Sequence, residues 1–300
     1  MIDLRRLAAL VAEHGDLLDA PVAPFRLSVG STSREVDTDT DPAIMGVLNL
    51  SKDSWYRESV AIGTDNAVRL GRLQVAQGAH FIDVGAESIQ EYADDVAAEQ
   101  QIEQLVPVIE ALTEDGIVTS VEAYHPSVVK ASFEAGARVL NLTGSAHDEE
   151  MFALSAEYGA SVILCHVGGT HPRDLDPDAD PGSDPIAHMT PPFVARMKAA
   201  RDAGVTSLAL DPGIGFGFRW APSMDQRLAY QTQVLLETFR LRALGLPLCH
   251  ALPSARHVFG EEVRSAEHFF ATLAHLGRTG IYRVHEVART RAALKTLHTV

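Results

Sequence analysis

Eight short runs of β-forming residues recur along this chain, each followed by a helical pattern: Ile44–Leu50, Phe81–Gly85, Val118–Ala123, Arg138–Leu142, Ser161–Val167, Ser207–Asp211, Leu246–Ala251 and Ile281–His285. Between them, Asn66–Gln77, Ala98–Leu112, Ser127–Ala135 and Met224–Leu244 carry amphipathic helical spacing. Gly78, Gly116, Gly136 and Gly159 stand just ahead of a run, where a helix ends on a left-handed residue before the next strand. Strict alternation implies parallel strands joined by right-handed crossovers. Eight such units, at roughly 250 residues for the repeat, fit a closed (β/α)8 barrel. A doubly wound open sheet would carry a Gly-rich dinucleotide turn after its first strand, and the segment from Val47 to Ser51 has none.

Residues 1–43 are expected to pack on the barrel, which spans 44–300. They hold an amphipathic first helix around Leu7 to Val11, and a hairpin, Phe25–Val29 with Arg34–Thr38, closing the barrel floor around Gly30. One long loop, Gly168–Thr190, has five aspartates between Asp174 and Asp184 and repeated prolines. Its glycine is misplaced for an EF-hand and no Glu closes it, so it reads as a solvated mobile lid.

A hydrophobic share of 46% with 22% charged residues supplies a core and describes a globular chain rather than a disordered one. The early apolar stretch is too short and too charged at its flanks for a signal peptide or a membrane span, so a cytoplasmic protein is expected. Cys165 and Cys249 lie in separate apolar runs without metal-ligand spacing and read as reduced core residues. A net charge of −15 argues against a nucleic-acid partner. It leaves room for a small anion, because charges more than about 8 Å away are largely screened at physiological salt.

Chemistry in a (β/α)8 barrel sits at the C-terminal strand ends. There the chain places Asn49, Asp83 with Glu87, Glu122, Asn141, His166, Asp211, His250 with Ser254 and Arg256, and the pair Arg283 and His285. Asp53, Asp83 and Ser254 are of the types that cap helices. Capping does not account for Arg283 and His285, since cations at a helix N-terminus oppose its dipole; the pair suggests an anionic ligand that Arg283 forks. An ionised Asp accepts two N–H groups from an amino-pyrimidinone edge and Asn offers a matching donor and acceptor, so Asp211 with Asn141 suits a pterin or purine-like ring. The glycines at 213, 215 and 217 permit close backbone approach, and Phe216 offers an aromatic face to a planar ligand.

With these residues in place the chain resembles the dihydropteroate synthase family of pterin-binding barrels, from Ile44 to about residue 297. The resemblance rests on the runs Ile44–Trp55, Gly78–Ser88, Leu210–Gly217 and Arg283–Val287. It implies condensation of a dihydropterin pyrophosphate with p-aminobenzoate, dependent on magnesium, with release of pyrophosphate in folate biosynthesis. It further implies that Asn49 holds Mg2+ and pyrophosphate, that Arg283 and His285 grip the pyrophosphate, and that Asn141 and Asp211 bind the pterin edge. Glu122, Phe216, Ser254 and Arg256 fall at substrate-binding positions, and a homodimer through the late helices is implied.

The departures lie toward the second substrate. Where the family reads Ser-Thr-Arg-Pro-Gly after strand two, this chain has Ser88-Ile89-Gln90-Glu91-Tyr92, which removes a hydroxyl and a cation. Glu122 stands for an Asp, and its extra methylene displaces the carboxylate by roughly 1 Å, a shift that can cost about a hundredfold in rate. Arg256 stands for a Lys with its Arg neighbour replaced by Ala255, Leu142 replaces an Asp, and Lys52 replaces a Pro. Two readings follow. In one the chain is a synthase in which Arg256 and Glu122 compensate as an altered ion pair. In the other it is a pterin-binding paralogue with a different second substrate or none. A corrinoid-linked methyltransferase would leave the Arg-Val-His grip idle.

Overall fold

The computed structural model describes residues 2–51, 61, 63–88, 95–175, 180–216, 218, 220–221 and 223–299. Lys52, Asp53, Gly217 and the stretch from Ile89 to Tyr92, all singled out above, lie outside them, as do positions 176–179 of the Asp-rich loop.

The eight barrel strands are β3 (Ala43–Asn49), β4 (Phe81–Gly85), β5 (Thr119–Glu122), β6 (Val139–Leu142), β7 (Ser161–Cys165), β10 (Leu208–Asp211), β11 (Cys249–Ala251) and β12 (Ile281–Val284). They form one parallel sheet in the order β10-β7-β6-β5-β4-β3-β12-β11. A parallel bridge between Leu210 and Leu248, with Leu210 N–H donating to Pro247 O at 3.0 Å, brings the two edges together. The result is a nearly closed (β/α)8 barrel. Every strand lies within two residues of its run in the sequence except the seventh, whose first half, Leu246–Leu248, remains outside the ladder apart from that bridge.

The period-2 alternation of the strands sorts their residues into two cores. Outward-facing Ile82, Val84, Leu140, Leu164, Leu210, Tyr282 and Val284 pack against the helix layer. Inward-facing Met45, Phe81, Val139, Ile163, Ala209, Cys249 and Ile281 fill the lower half of the barrel. That inner core continues into the hairpin β1 (Phe25–Val29) and β2 (Thr32–Val36), which supplies Phe25, Leu27 and Val36. The Phe25 and Phe81 rings lie 6.3 Å apart. Ser207 Oγ accepts from Arg26 N at 3.0 Å and Ser161 Oγ donates to Arg26 O at 2.7 Å, which bolts the hairpin to the starts of two strands. Alongside, Arg242 forks Asp39 at 2.7 and 2.8 Å. Helix α1 (Leu4–His14), by contrast, buries none of its residues.

Helices α2 (Thr64–Gln77), α3 (Ala98–Glu114), α4 (Pro126–Glu134), α5 (Asp148–Glu157), α6 (Pro185–Asp202), α7 (Met224–Glu237), α8 (Arg256–Phe259), α9 (Ala266–Leu276) and α10 (Val287–Leu297) surround the strands. Left-handed residues return the chain to the sheet at Gly78 (φ 110°) and Gly136 (φ 117°). The helical pattern after Met224 breaks at Glu237 and tightens into a 3₁₀ segment, Thr238–Leu244.

The Gly168–Thr190 lid needs correction. Its first part is a small hairpin, β8 (Gly169–His171) with β9 (Asp174–Leu175), and its last part opens α6. Proline misled the reading: Pro185 occupies the first turn of α6, where a missing N–H costs nothing, and Pro191 and Pro192 lie farther in. Asp184 is the N-cap of α6, accepting from Ala187 N at 3.0 Å and paired with Arg240 at 2.7 Å. It therefore has a structural role at the start of α6.

If the hairpin is the floor of the core, Phe25→Ala should lower the free energy of unfolding by about 3–5 kcal/mol in a urea titration followed by circular dichroism. A loss below about 1 kcal/mol would show that the hairpin only rests against the barrel.

Candidate active site at the barrel mouth

Above the apolar lower half, the inward-facing positions turn polar. Four alternate strands contribute Arg283 from β12, Asp83 from β4, Asn141 from β6 and Asp211 from β10, the arrangement by which side chains from every second strand share one interior layer. Arg283 Nε donates to Asp83 Oδ2 at 2.7 Å, and Asn141 Nδ2 donates to the same oxygen at 3.0 Å. From the intervening strand β5, Glu122 accepts from the second terminal nitrogen of Arg283, Nη2, at 2.6 Å, and Thr143 Oγ1 donates to it at 3.4 Å. Asp83 is fully buried, Glu122, Asn141 and Asp211 nearly so, and the Arg283 side chain is 15 % exposed.

Three carboxylates thus face one guanidinium in a space with little water. Burial pushes the Glu122 carboxyl up to about 7; Asp83 adds to the rise and Arg283 opposes it. Burial pushes Asp211 up to about 6 against the pull of the Gly213 N–H and of Arg283. For Arg283, burial works against the charge, but Glu122 and Asp83 outweigh it and raise the guanidinium above its usual range. Acids whose folded pKa is raised contribute their stability below the unfolded value, and that stability is lost as pH rises through the folded value. Glu122 and Asp211 therefore weaken the fold progressively toward neutral pH. Perturbed acids gathered at one end of a barrel mark a candidate ligand site.

The Asp211 carboxylate is aimed by its own loop: Gly213 N–H donates to Oδ1 at 2.8 Å. Gly213 has φ +70°, and a Cβ there would lie 2.0 Å from the His166 carbonyl oxygen, so only glycine fits. Downstream, Phe216, Trp220, Tyr230, His166 and His188 line a small recess beside Gly213. His166 is partly buried just past the end of β7, and desolvation there lowers it to about 4. Arg196 on α6 holds the neighbouring loops, forking Asp148 at 2.7 Å and donating to Gly144 O and Cys165 O at 2.6 and 2.7 Å.

At strand eight, His285 follows β12 and turns its Nδ1 to Glu267 Oε1 at 2.5 Å. Asn49 ends β3 and is partly buried. On the far side of Glu122, the loops after β4, β5, β6 and β7 enclose a cleft of 990 Å³ whose lining includes Tyr124, Leu142, His171 and Arg173. Arg173, carried on the β8–β9 hairpin, pairs with Glu87 and, at 3.0 Å, with Asp95.

Several expectations change. Asp83, of the type that caps helices, is the central acceptor of the polar layer. His250 faces outward, buried against Thr238 Oγ1 at 2.8 Å and lowered to about 3 by burial, because the alternation that turns Cys249 inward turns His250 away. Strand seven accordingly presents Ala251 to the mouth rather than a histidine, whereas His166, just past the fifth barrel strand, lines the recess beside Gly213. Both cysteines are free and buried. Glu122 is paired with Arg283 and not with Arg256, whose side chain is exposed on α8. Ser254 does not cap that helix: the cap position is Ala255, at φ 40°. Arg283 commits Nε and one N–H of Nη2 to carboxylates, so an anion would be forked from the other end of the guanidinium, through Nη1 and the second N–H of Nη2. Glu267 and Arg173 had no signal in the sequence, since each acts on a residue far along the chain.

The sequence of this chain matches the family model described as pterin binding enzyme over residues 45–276. It is 31% identical to the dihydropteroate synthase of Mycobacterium leprae, across 85% of this chain and 92% of that protein. It is also 31% identical to a probable bifunctional folylpolyglutamate synthase/dihydropteroate synthase of Haloferax volcanii, where it spans 30% of the longer protein. Its fold superposes on Xanthomonas albilineans dihydropteroate synthase with 4-aminobenzoic acid at a TM-score of 0.76 and 27% identity, covering 93% of this chain and 98% of that one. With eight parallel strands closing around a polar layer of the kind described, and this similarity over most of its length, the chain belongs to the pterin-binding enzymes, as a member of the dihydropteroate synthase family.

Proposed function

We propose that this barrel is a dihydropteroate synthase-type transferase, which condenses a dihydropterin pyrophosphate with p-aminobenzoate or another amine and releases pyrophosphate. The observation that carries the reading is the polar interior layer. Asp211, preset by Gly213, accepts the 2-amino and ring N–H groups of a pterin, and Asn141 meets the ring's remaining edge. Asp83 Oδ1 is buried without a hydrogen-bond partner, an open acceptor in the same layer. Phe216 and the glycine loop bound the ring, and the same reading assigns to the substrate Ser254, after β11, and Arg256, at the start of α8.

The pyrophosphate end falls to Asn49, Arg283 and His285. Among the described residues no group of three or more His, Cys, Asp or Glu side chains converges on a cage for a metal. A magnesium ion that takes most of its oxygens from pyrophosphate and water needs few protein ligands, and the residues fit that case with Asn49 as the protein oxygen. When bound, the ion would neutralise charge on the departing pyrophosphate. Cleavage of the methylene C–O bond sends the electron pair to pyrophosphate. The amine nitrogen then forms the C–N bond and loses its proton to solvent. The chain's part is to hold the ring, anchor the leaving group and exclude water. A cytoplasmic homodimer is part of the same reading; among the described residues no helix is long and apolar enough to cross a membrane.

A second reading, a paralogue with an altered second substrate, draws support from the 990 Å³ cleft. The family's cation in the loop after strand two is missing there, and Arg173 reaches the corner from a different loop.

Purified protein incubated with dihydropterin pyrophosphate, Mg2+ and p-aminobenzoate should release pyrophosphate and dihydropteroate in equal amounts. Pterin binding without turnover would instead select the paralogue. Pterin affinity should rise with pH as Asp211 ionises through about 6, because its protonated form loses one of two acceptors; Asp211→Asn should flatten that dependence in calorimetric titrations. Glu122→Asp shortens the reach to Arg283 and should raise kcat/KM with p-aminobenzoate, by up to about a hundredfold. A fall in kcat/KM would mean that Glu122 suits a substrate of this enzyme's own.

A further inference from the structure

Glu267, at the start of α9, is an acid buried to 3 % exposure. Its carboxylate collects three N–H groups from the turn that follows β12. The backbone N–H of His285 donates to it at 2.9 Å, the backbone N–H of Glu286 at 2.8 Å, and the His285 ring Nδ1 at 2.5 Å. The next residue, Glu286, is itself forked by Arg264 at 2.6 and 3.1 Å, which fixes the turn from its other side. Two backbone bonds alone would make Glu267 a cap for α10. The ring bond goes further, because a carboxylate can only accept: it requires the proton on Nδ1 and fixes the plane of the imidazole.

We propose that Glu267 is a positioning residue that locks His285 in its Nδ1–H form and orients the ring so that its opposite nitrogen, Nε2, meets the phosphate oxygens of the leaving group. The inference rests on the reading of strand eight as the pyrophosphate end. It gives His285 a particular share of that task. Arg283 is held by Asp83 and Glu122 and engages an anion through what remains of its guanidinium, whereas His285 is held from behind by a carboxylate on a neighbouring helix. A pre-set ring loses less orientational freedom when an anion binds.

The test is nitrogen-15 spectroscopy of the histidine-labelled full chain, with His285 identified by difference against His285→Gln, alongside calorimetry with inorganic pyrophosphate and Mg2+. The wild-type ring should show a protonated Nδ1 in one fixed form. Glu267→Gln, which offers one acceptor oxygen where the turn presents three donors, should release the ring into tautomer exchange and weaken pyrophosphate binding by about tenfold or more. A wild-type ring with an unprotonated Nδ1 overturns the proposal and does not depend on any variant folding. Unchanged ring signals or unchanged pyrophosphate affinity in a folded Glu267→Gln overturn it as well, leaving Glu267 a helix cap. If the wild type binds no pyrophosphate although its ring is fixed at Nδ1, the failure lies in the phosphate reading of strand eight and takes the proposal with it.

Discussion

The buried contact of Arg283 with Asp83 and Glu122 is the interaction on which the mouth of this barrel depends. Three strand-end carboxylates, Asp83, Glu122 and Asp211, are taken out of water at the barrel mouth, and Arg283 is the cation set against them there. Removing one member of a buried charge set costs far more than the set contributes as a whole, because the remaining charges lose their compensation. The mouth is therefore held in a strained electrostatic balance, with Glu122 and Asp211 lifted toward neutral pH. A ligand presenting N–H donors to these oxygens would relieve that balance, which connects the cost of the layer to pterin recognition.

The rest of the molecule supports the layer from two directions. Below, the inward-facing apolar residues and the β1–β2 hairpin exclude water from the lower barrel, so the carboxylates have no solvent beneath them. Around the rim, fixed contacts set the loops: Gly213 aims Asp211, Arg196 ties the loops of β6 and β7, and Glu267 holds the turn after β12. These contacts leave little for a substrate to organise when it arrives, which is the economy expected of preorganised sites.

Much of this was legible in the sequence, and the reasons differ by residue. Strand number and order follow from local periodicity, so the barrel could be read directly, as could the polar strand ends Asn141, Asp211 and Arg283. What local pattern does not carry is the partner across the barrel. Asp83 is of a type that caps helices, and nothing beside it in the chain marks its other role; its contacts lie 58 and 200 residues away along the chain. Glu122 suggested a pairing with Arg256 because both depart from the family pattern, yet proximity inside the barrel gives it to Arg283. His250 was misplaced by one residue of register, which in a strand reverses the face. The helix start within Gly168–Thr190 was hidden by Pro185, which sits in the first turn of α6 where a helix tolerates it.

The central claim, that Arg283 compensates buried carboxylates, is tested most directly by urea unfolding of Arg283→Met beside the wild type at two pH values. At pH 8, with Glu122 ionised, the variant should be less stable by about 3–5 kcal/mol, and the difference should shrink at pH 5, where Glu122 holds its proton. A loss under about 1 kcal/mol at pH 8, or one independent of pH, would contradict the account and leave Arg283 an ordinary surface cation.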